Sequence, residues 1–249
     1  MALAQPSDHG SPPARGHRGL DDETSAQPQL NPAAVSLNGR RKLPQRLRTM
    51  TWPVHRTIVA LDMERSTLRP NPVKEEFRRK VYSILDRALY SVGIRSHHLD
   101  RLTDRGDGVL ALVRPADDVP KTLLLDPLIP ILSGLLRDYN SRISALRRPD
   151  WRLRLRAVIH AGEVHDDGMG FFGEALDVAF RLLDAPAVKK TLRLTEAPLV
   201  LVVSEEIFWS IVSQGYLGID QNAYHPLVRV RVGGRQRRGW IHVPSETAA

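Results

Sequence analysis

The sequence predicts an α+β domain with a ferredoxin-like βαββαβ core and a C-terminal extension. Three observations carry that prediction. Short apolar runs alternate with helix-period segments from Trp52 onward, in the order β-α-β-β-α-β and then α-β-α-β-β. The first 50 residues are rich in Pro, Gly, Ser, Gln and Asn and show no apolar period, so residues 1–50 are expected to be a disordered tail. A chain of 249 residues with 42% hydrophobic content can bury one good-sized core beside such a tail. The domain is expected over 54–244, with 245–249 as a short second tail.

Residues 56–62 form the first strand, a continuous apolar run ending in Asp62. Asn71-Pro72 then reads as an N-cap followed by proline at the first helical position, with Glu75 and Glu76 in the first turn. The helix places Phe77, Val81, Ile84, Leu85, Ala88, Leu89 and Val92 on one face, and Gly93 ends it. Residues 96–103 and 108–114 are expected to pair as a hairpin around Arg105-Gly106-Asp107-Gly108. A helical region follows over about 119–146, interrupted near Pro127 and Pro130. A strand over 151–165 opens with Arg152, Arg154 and Arg156 alternating with Leu153 and Leu155. A glycine-rich loop leads to a helix near 173–185. Leu199–Val203 reads as a buried strand, with Ser204 capping a helix over Glu205–Val212. Two last strands, near 226–232 and 238–243, flank the turn Gly233-Gly234-Arg235-Gln236-Arg237.

Charge and composition narrow the function classes. The net charge is +8, but residues 1–56 hold eight Arg and Lys against four acids, and Arg229, Arg231, Arg235, Arg237 and Arg238 cluster near the C-terminus. The basicity is local, which does not support a general nucleic-acid footprint. The stretch Arg40–Arg48 reads either as a solvated linker or as a contact for an acidic partner or nucleic acid. The absence of cysteine excludes disulfides and thiolate metal sites and fits a reducing compartment. No apolar run approaches the roughly 20 residues needed to cross a bilayer, and no basic-then-apolar leader opens the chain. A cytoplasmic location, away from membranes, is expected.

Asp62 and Asp107 stand out chemically. Carboxylates at the ends of neighbouring buried strands are costly unless something positive neutralises them. Two held close together suit hard divalent cations on a triphosphate. His97 and His98 have no partner at metal-ligand spacing and read as strand residues.

These segments together resemble the catalytic domain of class III nucleotidyl cyclases, the adenylate and guanylate cyclase family. The resemblance covers roughly residues 54–244. It is carried by Leu61-Asp62-Met63-Glu64-Arg65-Ser66-Thr67, by Gly106-Asp107, and by Arg156-Ala157-Val158-Ile159-His160-Ala161-Gly162-Glu163-Val164. Phe172-Gly173 with Leu176-Asp177-Val178-Ala179-Phe180-Arg181-Leu182, and Val203-Ser204, complete it. It implies a metal-dependent attack of the ribose 3′-hydroxyl of a nucleoside triphosphate on its α-phosphate, releasing pyrophosphate. Two Mg²⁺ or Mn²⁺ would be held by Asp62, Asp107 and the Met63 carbonyl. Backbone N–H groups of Glu64, Arg65, Ser66 and Thr67 would contact the phosphate tail, as would Arg235, Arg237 or Arg238, unless these form a solvated turn. Arg181 would stabilise charge on the α-phosphate. His160 falls where the family uses histidine structurally. The site would lie at a homodimer interface, with the aspartates from one subunit and Arg181 from the other.

Three positions depart from the family. Thr103 and Gly170 stand where purine-reading residues are expected, and Asp177 stands where an asparagine orients the ribose. Either the base differs, such as a pyrimidine, or base reading is relaxed or lost. The alternative is a catalytically degenerate cyclase fold acting as a nucleotide-binding or protein-interaction module.

Overall fold

The computed structural model describes residues 52–143, 151–216 and 218–245. The expected tail over 1–50, the end of the helical region at 144–146 and residues 246–249 lie outside them. Strand β1 (Val54–Met63) leads into helix α1 (Asn71–Ser91), followed by β2 (Thr103–Asp104) and β3 (Gly108–Val113). Helices α2 (Thr122–Leu125) and α3 (Leu128–Ser141) precede β4 (Leu155–Asp166) and β5 (Phe171–Phe172). Then come α4 (Glu174–Leu183), α5 (Pro186–Leu194), β6 (Leu199–Ser204), α6 (Glu205–Ser210), β7 (His225–Val232) and β8 (Arg235–His242).

The sheet runs β2-β3-β1-β4-β6-β8-β7, with β5 hanging on the end of β4. Only β4 and β6 pair in parallel, and α4 with α5 supplies the crossover such a pair requires. Both faces of the sheet are covered. Val59, Leu61 and Met63 of β1 pack into the layer of α1–α3 and α6, whereas Ile58 and Ala60 pack into the layer of α4 and α5. Burial on both faces is why β1 reads as an unbroken apolar run rather than an alternating one. Phe77 anchors the first layer, fully buried and edge-on to Tyr139 and Trp151 at 6.5 and 6.3 Å.

Two glycines permit close approaches that place the site. A Cβ on Gly108 would overlap the Leu61 carbonyl, so β3 can lie against β1 only without a side chain there. A Cβ on Gly162 would sit 2.8 Å from the Ala175 Cβ, where α4 rests on β4.

Several local expectations shift. Helix α1 is capped by Pro70, Asn71 is its first residue, and Glu75 and Glu76 fall beyond the first turn. Residues 96–98 form a 3-10 turn, beyond which Leu99 bridges Val113 and Thr103–Asp104 pair with β3. The His98 Nδ1 accepts from the Arg95 amide at 3.1 Å, a bond that favours the turn over a strand. Residues 152–154 precede β4, because the Asn140 side chain bonds both the N–H and the C=O of Leu153. Ser204 does cap α6, accepting from the Ile207 amide. The final hairpin turns on Gly233 and Gly234 alone, both at positive φ, so Arg235 and Arg237 belong to β8. Helix α5 had no counterpart in the sequence reading; Pro186 at its start is the signal that marks it.

Candidate active site

Asp62 pairs in register with Gly108 on one side and Arg156 on the other, at the C-terminal end of β1. The hairpin carrying Asp107 is fastened to that end. The Asp107 carbonyl accepts from the Met63 amide at 3.0 Å. Arg78 of α1 donates to the Asp104 carboxylate and to the Gly106 carbonyl, and Asp104 in turn accepts from the Gly106 amide at 2.7 Å. The Arg78 hydrogen bond holds the Asp104 carboxyl down at about 2.

This framework brings the Asp62 and Asp107 carboxylates together. Burial raises the Asp62 pKa to about 6; the Arg156 guanidinium opposes that rise, and the neighbouring Asp107 carboxylate adds to it. Arg156 forms an ion pair with Asp62 and reaches Asp184 at 3.4 Å. Two adjoining hard oxygen donors, one of them destabilised by burial and by its neighbour's charge, form a donor set that fits Mg²⁺ or Mn²⁺.

Asp62 and Asp107 line a cavity of ≈ 660 Å³ together with Asp177, Arg181, Asp184, Arg105 and Arg231. Asp177 and Arg181 are four residues apart on α4, so both project from one face. As an acid in the first helical turn, Asp177 complements the helix dipole. Arg105, beside Asp107, stacks over the Phe180 ring of α4 at 4.1 Å, tying the hairpin to that helix. One chain thus carries both the carboxylate pair and the Asp177–Arg181 pair on a single cleft.

The other expected residues lie elsewhere. The Glu64 amide, expected among the phosphate-contacting N–H groups, instead donates to the Arg154 carbonyl at 2.9 Å. Glu64 and Arg65 line a different cleft, Ser66 is buried, and Thr67 is exposed. Thr103 donates to the Arg101 carbonyl, and Gly170 lies in a loop closed by Asp167; neither lines the Asp62 cleft. Arg237 pairs with Glu174 and approaches Glu206 at 4.0 Å, while Arg235 and Arg238 are exposed on β8. His160 is 3% exposed and hydrogen-bonds Ser204 Oγ at 2.8 Å, with Glu206 at 3.3 Å. That contact holds the Glu206 carboxyl down at about 2. Serine and carboxylate meet the same ring nitrogen, so this is a strand-to-helix tie and not a relay to a nucleophile.

Sequence reasoning missed Arg105, Asp184 and Arg231 on the cleft, and Arg156 as the partner of Asp62. Arg156 stands in the sequence as one of three alternating arginines and as the start of the Arg156–Val164 segment, and neither pattern shows that it faces Asp62. His97, His98 and Asp118 also converge, with the His98 Nε2 3.2 Å from Asp118. The His98 Nδ1 already accepts from the Arg95 amide, which puts the proton of the neutral ring on Nε2 and turns that nitrogen into a donor to Asp118.

Comparison with solved structures bears on the fold. The adenylate/guanylate cyclase/hydrolase of Silicibacter pomeroyi aligns with a TM-score of 0.52 at 19% identity, covering 78% of this chain and 99% of that one. The fold is that of class III nucleotide cyclase catalytic domains. The guanylyl cyclase Cya2 gives 0.51 at 15% identity, over 79% and 96% of the two chains. The catalytic core of a rhodopsin-guanylyl cyclase with converted specificity, in complex with ATPαS, gives 0.50 at 14%, over 77% and 96%. No family model matches the sequence, and no curated protein matches it. No helix among the described residues is long and apolar enough to cross a membrane.

Proposed function

We propose that the protein is a metal-dependent nucleotidyl cyclase, converting a nucleoside triphosphate to a 3′,5′-cyclic nucleotide and pyrophosphate. The observation that supports this most is the contact of the Asp62 and Asp107 carboxylates at the end of β1, within a cyclase fold. Asp62, Asp107 and the Met63 carbonyl would hold two Mg²⁺ or Mn²⁺. When bound, these cations neutralise the triphosphate and lower the pKa of the 3′-hydroxyl.

The chain's own residues then position and stabilise. In the reaction the O3′–Pα bond forms, the bond from Pα to the leaving pyrophosphate breaks, and the hydroxyl proton is lost. Arg181 offers a planar fork for the charge on the α-phosphate oxygens. Arg156 pairs with Asp62; with a cation held by that carboxylate, its guanidinium would be free to donate hydrogen bonds to phosphate oxygens. The amides of Arg65, Ser66 and Thr67 and the side chains of Arg235, Arg237 and Arg238 are proposed for the phosphate tail. Thr103 and Gly170 would face the base from a homodimeric partner, and Arg181 would act across the same interface.

A second reading is favoured by one observation, the four carboxylates Asp62, Asp107, Asp177 and Asp184 on the cleft. Asp177 in place of asparagine sets an extra negative charge beside an anionic substrate, a condition for binding metal and nucleotide without turnover. Incubation with ATP, GTP, CTP and UTP plus Mn²⁺ separates the two. Cyclic product lost in Asp62→Ala and Asp107→Ala supports the cyclase; nucleotide-induced stabilisation without any product supports the second reading. Mixing Asp62→Ala with Arg181→Ala chains tests the dimer, because a composite site regains activity in the mixture.

A further inference from the structure

A cleft of ≈ 870 Å³ lies against the segment that leaves β1, sharing no lining residue with the Asp62 cavity. It is walled by Arg65 and Arg69, by Arg137 at the end of α3, by Arg152 and Arg154 before β4, and by the 195–198 loop. Among the described residues two acids line it. Glu196 is engaged by Arg152 at 2.8 Å, and Glu64 by Arg154 at 3.6 Å. Arg65 and Arg137 pair with no acid among the described residues, which leaves their two guanidinium groups uncompensated at the cleft. The buried Arg154 Nε has no hydrogen-bond partner among the described residues, an unsatisfied donor of the kind native interiors avoid.

Concave walls of one sign focus the field and raise the local concentration of counter-charge. Guanidinium forks match phosphate oxygens in pairs. No aromatic side chain among the described residues lines the cleft, so none of them offers a nucleobase or a single nucleic-acid strand a surface to stack on. The volume exceeds what a lone phosphate fills, and positive charge reaches it from three elements rather than one.

We propose that this cleft is a second anion site, which takes a small phosphate-bearing molecule with at least two phosphate groups and no base. The site does not rest on the cyclase reading. One wall, the Glu64–Arg69 segment, follows Asp62 and Met63 directly in the chain.

The test is thermal unfolding of the full chain in EDTA, titrated with inorganic pyrophosphate, with orthophosphate, and with KCl at matched ionic strength. EDTA leaves the Asp62 cleft without a cation to hold phosphate. The wild type and Asp62→Asn should show a saturating rise in Tm with pyrophosphate. Arg137→Gln and Arg65→Gln, both at solvent-accessible positions, should each weaken the apparent affinity by about tenfold or more, the weight of one charge-assisted hydrogen bond. Four outcomes overturn the proposal: a rise that matches KCl, one that persists in both arginine variants, one lost in Asp62→Asn, or orthophosphate binding as tightly as pyrophosphate.

Discussion

Replacing Asp62 by asparagine should stabilise the metal-free protein at neutral and alkaline pH. The Asp62 pKa is raised from 3.8 to about 6, chiefly by burial, with Asp107 adding to the effect and Arg156 opposing it. A raised carboxyl means that the folded state binds the proton more tightly than the unfolded chain. Its contribution to stability is fully present below about pH 4 and is lost as pH rises through about 6. The difference between the two pKa values corresponds to about 3 kcal/mol, which the ionised group costs above that window. Asparagine keeps the shape without the charge, and Arg156 retains Asp184 at 3.4 Å. In EDTA at pH 8, Asp62→Asn should gain up to about 3 kcal/mol, read as roughly 5–10 °C in Tm, and at pH 4 it should match the wild type. Urea unfolding at several pH values between 4 and 8 checks this. A difference that does not change with pH, or a variant less stable than wild type at pH 8, would show that the carboxylate is not strained and refute the reasoning.

Other outcomes follow from the same geometry. Because a proton and a cation compete for Asp62, apparent Mn²⁺ affinity measured by calorimetry should rise by up to about tenfold per pH unit below pH 6 and flatten above it. Gly108→Ala should cost about 3 kcal/mol in urea unfolding, since its Cβ would overlap the Leu61 carbonyl and force β3 from β1. Phe77→Ala should cost about 3–5 kcal/mol, for it empties a fully buried site between Tyr139 and Trp151. Ser204→Ala should cost about 1–2 kcal/mol through the lost α6 cap and the lost His160 bond.

The element order was legible because burial writes itself into the sequence: Ile58–Leu61 of β1 are buried and apolar on both faces, and Asp62 ends that run. The Ser204 cap was legible for a similar reason, since its side chain serves the backbone three residues on. What failed were features fixed by one particular partner, near or distant. Residues 96–103 looked extended, yet the His98 ring makes its bond with the Arg95 amide and forms a turn. Arg156 is one of three arginines in the same pattern, and only the β1–β4 register sets it opposite Asp62. Glu64 looked like a free amide until the strand pairing gave its N–H to Arg154.

The contact of Gly162 with Ala175 sets a reference height. Helix α4 cannot settle lower, because the two residues already touch, and any side chain at 162 would act as a shim beneath it. Arg181 lies nearly two turns along the same helix from Ala175, so a lift of an ångström at the glycine moves the guanidinium relative to Asp62 by a similar amount. The spacing between the two halves of the cleft is thus gauged by an absent methyl group outside the cleft.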